Sequence, residues 1–145
     1  MALSDPEKDV VVRGDAPIDF RYRRLGYLAM NVTDIGKSTA FATEVFGLDQ
    51  NGEGPDGSRF FRLGTAHHDM MLTQASEAAF VRAGWELETQ EDLDRAFAHY
   101  QRLGLSPAWV PADECAALAI ERAFRFAEPV LGTIWEYYAA MSYTS

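Results

Sequence analysis

The sequence predicts an α+β fold made of two βαβββ modules in tandem, at about residues 24–75 and 80–140. Three observations predict it. A strand–helix–strands order is written twice in one chain. The landmarks of the two copies recur in the same order, as expected of a duplicated supersecondary unit. The totals, 145 residues with 48% hydrophobic composition, suit one compact unit. A chain of this size buries roughly 68–70% of its unfolded surface.

The elements follow in order. Residues 1–22 match neither copy and read as an amino-terminal tail, with an added strand considered at "DVVVR"; residues 23–141 form the domain. "YLAMNV" (27–32) has the apolar and β-branched composition of a strand. Thr33 and Asp34 are N-cap residue types, so a helix is expected over 34–46. Its apolar positions Ile35, Thr39, Ala42 and Phe46 recur at helical spacing, with Phe41 and Val45 beside them, and Gly47 supplies the stop. A short strand near 48–52 runs into "NGEGPDG", whose Asn-Gly and Asp-Gly pairs signal turns. "SRFFRLG" and "DMMLTQ" then form a hairpin.

The second copy opens with Gly84-Trp85. Thr89 caps a helix near 90–103, Asp92 sits at the capping-box position, and Leu93, Ala96, Phe97 and Tyr100 form its buried stripe. "PAWV", "ERAFRFA" and "TIWEYYA" are the closing strands, with "ADECAALA" an irregular insert of about one helical turn. Gly26 to Asp34 spans the same eight positions as Gly84 to Asp92. "AFA" recurs at 40–42 and 96–98, and "GL" at 47–48 and 104–105.

The net charge of −9 repels phosphate backbones and argues against nucleic acid as a partner. No apolar run approaches the ~20 residues that span a bilayer. The first residues lack the basic and apolar regions of a signal peptide. Cys115 is the single cysteine, which suits a reducing, cytoplasmic setting. There is no phosphate loop, CxxC, GxSxG or HExxH motif.

"GTIWEYY" (132–138) raises the functional question. Strand alternation puts Trp135 and Tyr137 on one face and Ile134, Glu136 and Tyr138 on the other. A carboxylate on so apolar a face needs a partner or water.

"LGYLAMNVTDIGKSTAFATEVFGL", "FFRLGTAHHDMMLT", "WELETQEDLDRAFAHYQRLGL" and "FRFAEPVLGTIWEYY" together resemble the vicinal oxygen chelate superfamily of glyoxalases, bleomycin-resistance proteins and type I extradiol dioxygenases. The likeness is nearest to the amino-terminal domain of extradiol ring-cleaving dioxygenases, which in two-domain enzymes lacks the metal. The resemblance implies a cupped, mostly antiparallel sheet with helices outside, a concave funnel holding the site, and a homodimer.

It also implies a strand-borne carboxylate ligand at Glu136. The family's two histidine ligands would fall at Tyr27 and near Arg82, and neither position holds a histidine. A two-histidine, one-carboxylate iron site is therefore incomplete here. His67 and His68 alternate on a strand, so at most one is expected in the funnel; His99 is expected on the solvated face of its helix.

Two readings follow. One is a ring-cleaving dioxygenase or glyoxalase-type enzyme with iron or manganese on Glu136 and on His68 or His67, with Tyr27 considered to complete an atypical site. The other, without a cofactor, is a binder or sequesterer of a small aromatic molecule, or an accessory half of a dioxygenase. Its pocket would be lined by Tyr27, Phe61, Arg82, Trp85, Phe124, Glu136 and Tyr138.

Overall fold

The computed structural model describes residues 18–142, so the strand considered at "DVVVR" lies outside the described residues. The first module consists of β1 (Tyr22–Val32), α1 (Ile35–Ala40), β2 (Asp49–Glu53), β3 (Arg59–Arg62) and β4 (Met70–Gln74). The second consists of β5 (Ala79–Leu87), α2 (Gln90–Arg102), β6 (Ala108–Trp109), α3 (Ala112–Ala117), β7 (Ile120–Ala127) and β8 (Ile134–Met141).

All eight strands form one sheet in the order β2-β3-β4-β1-β5-β8-β7-β6. That order reads the same from either edge once the modules are exchanged, as a pseudo-twofold axis between β1 and β5 requires. β1 and β5 are antiparallel, whereas β1–β4 and β5–β8 are the parallel pairs. The α+β class and the mostly antiparallel sheet are those expected.

Local chemistry sets the helix starts. The Asp34 carboxylate accepts from Lys37 N–H at 3.1 Å, and Thr89 Oγ1 accepts from Asp92 N–H at 3.0 Å. The convex face of the sheet packs under both helices. The end of α1 sets Ala42 on Phe61 and Leu72, and α2 sets Leu93 and Ala96 over Leu87, Phe124 and Tyr137. The concave face holds a third core of Tyr27, Ala29, Phe60, Ala123 and Tyr138. The insert "ADECAALA" does more than span a gap. It forms α3, whose Cys115, followed by Leu118, caps that concave core.

Three expectations about the elements need correcting. Phe20 is buried under α2 and β1 starts at Tyr22, so the residues just before 23 belong to the domain rather than to a tail. α1 passes into a π-turn over Phe41–Val45. The extra residue per turn rotates the end of the helix, and Phe46, expected in the buried stripe, is 66% exposed. His99 is not solvated: the ring of Phe20 covers it at 5.6 Å, because the chain before β1 crosses this side of α2.

Candidate functional site

Strand register assembles the centre of the concave face. β8 runs parallel to β5 with Gly84 opposite Glu136, and β7 brings Arg125 opposite Glu136 from the other side. Arg82, Gly84, Arg125, Glu136 and Tyr138 therefore share one face by alternation. Two glycines make room for two tyrosines. A Cβ on Gly84 would lie 2.3 Å from Tyr27 Cε1, and one on Gly26 would lie 1.8 Å from Tyr138 Oη. Each tyrosine thus sits on backbone of the other module, which no larger residue would permit.

Glu136 is fully buried and fully partnered. Tyr27 Oη donates to Oε2 at 2.5 Å, and Arg125 Nε donates to Oε1 at 2.8 Å. Arg82 Nε donates to Tyr27 Oη at 2.8 Å and stands 3.6 Å from Glu136 Oε1. Arg125 Nη1 also donates to Glu114 Oε1 on α3 at 2.6 Å. Two guanidiniums and two carboxylates make the cluster neutral, which meets the condition for burying charge.

Burial and the neighbouring Glu136 charge raise Tyr27 well above the ordinary phenol range, so it is a neutral donor. Burial pulls the Arg125 guanidinium down, but Glu136 and Glu114 outweigh it and raise its pKa. Burial first, then the Glu86 charge, raises Tyr138.

A cleft of about 410 Å³ opens beside this cluster. Phe60, Met71, Val81 and Leu118 give it apolar walls, and Asn31, Thr73 and Arg82 supply polar groups. Asp56 and Glu114 add carboxylates, and the Asp56 pKa is lowered, chiefly by hydrogen bonding to Ser58.

Of the expected pocket residues, Tyr27, Arg82, Glu136 and Tyr138 come together, and Arg82 is the one that lines the cleft. Phe61, Trp85 and Phe124 do not join them. They pack on the convex face under the helices. The reason is register: Phe60 takes the inward position in "RFFR", Gly84 in "AGW", and Arg125 in "AFRF".

The expected alternation of His67 and His68 does not hold either, since both precede β4 in an irregular segment. Their Nδ1 atoms lie 3.0 Å apart and both rings touch Phe60. His68 is fully buried against Tyr27, and burial lowers its pKa to about 3, so it is neutral. Arg125 is the residue that sequence reasoning missed. Its signal was its place opposite Glu136 in the β7–β8 hairpin, visible only once the turn fixes the register.

The chain belongs to the Glyoxalase/Bleomycin resistance protein/Dioxygenase superfamily, whose family model matches residues 24–137. Within it, the chain is 35% identical over 63 residues to a 1,2-dihydroxynaphthalene dioxygenase of Sphingobium xenophagum, covering 43% of this chain and 21% of that protein. It is 27% identical over 82 residues to a biphenyl-2,3-diol 1,2-dioxygenase of Sphingomonas paucimobilis, covering 57% and 27%. A homoprotocatechuate 2,3-dioxygenase from Brevibacterium fuscum superposes with a TM-score of 0.76 at 28% identity, covering 87% of this chain and 34% of that one. The chain thus spans between about a fifth and a third of the length of these relatives. Among the described residues no helix is long and apolar enough to cross a membrane.

Proposed function

We propose that this chain is a metal-free binding domain for a small aromatic compound bearing hydroxyl or carboxyl groups, related to the extradiol dioxygenases but not itself ring-cleaving. One observation carries the reading. Both oxygens of Glu136, the carboxylate at the family's ligand position, are occupied, Oε2 by Tyr27 and Oε1 by Arg125. A divalent ion wants free carboxylate lone pairs and imidazoles beside them. Here the neighbours are two guanidiniums and a phenol, and a cation would have to displace Arg125 while Arg82 stands 3.6 Å away. The donor set does not fit the metal.

The cleft supports the ligand class. Its apolar walls suit an aromatic ring, and Arg82, Asn31 and Thr73 offer hydrogen bonds to oxygen substituents. Nearby carboxylates Asp56 and Glu114 disfavour a highly charged anion. The same donor set, with Tyr27 and Arg82 beside Glu136 in place of imidazoles, also suits a second reading, service as a non-catalytic unit beside a catalytic dioxygenase subunit. Buried Cys115 suits a reducing cytoplasm.

The test is metal analysis of tag-free protein from iron- and manganese-supplemented cells, together with calorimetric titration of biphenyl-2,3-diol. The expected result is metal far below one per chain, saturable diol binding, and binding weakened roughly tenfold in Arg82→Ala, the loss of about one charge-assisted hydrogen bond. One equivalent of iron or manganese with diol-dependent oxygen uptake would restore the enzyme reading.

A further inference from the structure

The π-turn over Phe41–Val45 has a consequence on the outer surface of the first module. In a regular helix Phe46 would follow Ala42 onto the buried face. Instead Phe46 N–H donates to the carbonyl of Phe41, five residues back, at 3.1 Å, and the helix end turns outward. Phe41, Val45 and Phe46 are 51%, 65% and 66% exposed. The two phenyl rings meet edge to face at 4.9 Å, a preformed aromatic pair facing solvent. Beside them runs a groove of about 390 Å³ between α1 and the sheet, with Val32, Ala42, Met70 and Leu72 in its floor.

The second module treats its equivalent face differently. There Phe20 packs against α2 and its surroundings and is itself buried. Among the described residues, nothing plays that part for α1. π-turns recur at functional sites, and an exposed patch of large apolar residues beside a groove is an interaction surface rather than ordinary exterior.

We propose that α1 is a self-association face, with two copies of this chain pairing α1 against α1, antiparallel, about a twofold axis near Phe41. Two features point to a second copy rather than an unrelated partner. Projecting phenyl rings and an apolar groove lie side by side on one patch, so each copy offers both the knob and the hole that an isologous contact needs. The exposed side of the helix also carries Lys37 before Phe41 and Glu44 after it. Turning a second copy about Phe41 brings each Lys37 towards the partner's Glu44, so charges of opposite sign meet twice. The patch itself is neutral, which spares it the mutual repulsion of chains carrying −9.

Sedimentation of the purified chain at roughly 50 µM, well within the range where specific dimers assemble, tests this. The wild type is expected to be a dimer and Phe46→Asp a monomer with an unchanged far-UV spectrum, since Phe46 makes no core contact. Lys37→Glu and Glu44→Lys are each expected to weaken the dimer about tenfold or more, and the double variant to recover it. That recovery distinguishes a paired contact from a fold defect. A monomeric wild type at that concentration would overturn the proposal. So would a dimer indifferent to Phe46→Asp and to the charge exchange, which would place the interface elsewhere.

Discussion

At the scale of single residues, the site rests on glycines as much as on its charges. Gly84 admits Tyr27 and Gly26 admits Tyr138, and the atoms a Cβ would strike, the Tyr27 ring and the Tyr138 hydroxyl, are held inside the core. Gly84→Ala is expected to destabilise the protein by about 1–3 kcal/mol through overpacking. Gly36, on α1, meets only Asp34 Oδ1 at 3.5 Å, so Gly36→Ala should be neutral or stabilising by roughly 0.5–1 kcal/mol. Urea unfolding of the two variants checks the contrast; equal effects would mean that the glycine cradle is not what holds Tyr27.

His68 supplies a pH dependence. Its folded pKa is lowered to about 3 from 6.5 by burial first, then by His67 and Arg82. The unfolded state therefore takes up a proton that the folded state refuses, and stability present above pH 6.5 is lost as pH falls towards 3. Between pH 7 and pH 5 the loss is on the order of 2 kcal/mol. His68→Phe should flatten that slope, read from denaturant midpoints across this range; an unchanged slope would assign it to other groups.

Residue by residue, alternation within one strand pointed to Glu136 and Tyr138, because it is local information, and the family resemblance pointed to Tyr27 and Arg82. Neither revealed Arg125, or Phe60 in place of Phe61, because those depend on register between strands that turn geometry sets.

At the scale of elements, the two helices differ in how well their sequences described them. Helix α2 was legible at both ends. Thr89 caps it, and Asp92 answers from the third position, accepting from Thr89 Oγ1 at 2.9 Å and from Arg95 at 2.7 Å. Asp92 also accepts from Arg21 N–H at 3.3 Å, which ties the start of α2 to the chain entering β1. Thr89→Ala should cost about 1 kcal/mol, the usual value of an N-cap, while Thr89→Ser should restore most of it. A thermal melt of the pair against wild type measures this; a serine variant no better than alanine would deny the hydroxyl its capping role. Helix α1 was legible only at its start. Its apolar spacing pointed Phe46 inward, and nothing in that spacing announces a π-turn, since the inserted residue changes the period only once the chain is already helical. The closing strands were legible in order, but "PAWV" yields only the two-residue edge strand β6, with Pro107 and Pro111 flanking it.

At the scale of the whole molecule, the repeat in the sequence predicted two modules, and the structure joins them more closely than a repeat alone implies. The seam is not only the β1–β5 ladder. Tyr27 of the first module lies on Gly84 and donates to Glu136, both of the second, and Tyr138 of the second lies on Gly26 of the first. Unfolding of the first module alone would strand Glu136 and Arg125 without Tyr27, and unfolding of the second alone would leave Tyr27 without Glu136 or its seat on Gly84; either would open the concave core. The modules should therefore unfold as one cooperative unit. The tryptophans make this measurable without labels. Trp85, Trp109 and Trp135 all belong to the second module. Their fluorescence reports that module alone, whereas far-UV circular dichroism reports both. The two signals are expected to trace one transition with the same urea midpoint and slope, and Tyr27→Phe should lower that midpoint in both signals together. Separate midpoints, with fluorescence lost at a different urea concentration from the dichroism, would mean that the seam is a docking surface between independent modules rather than part of a single core.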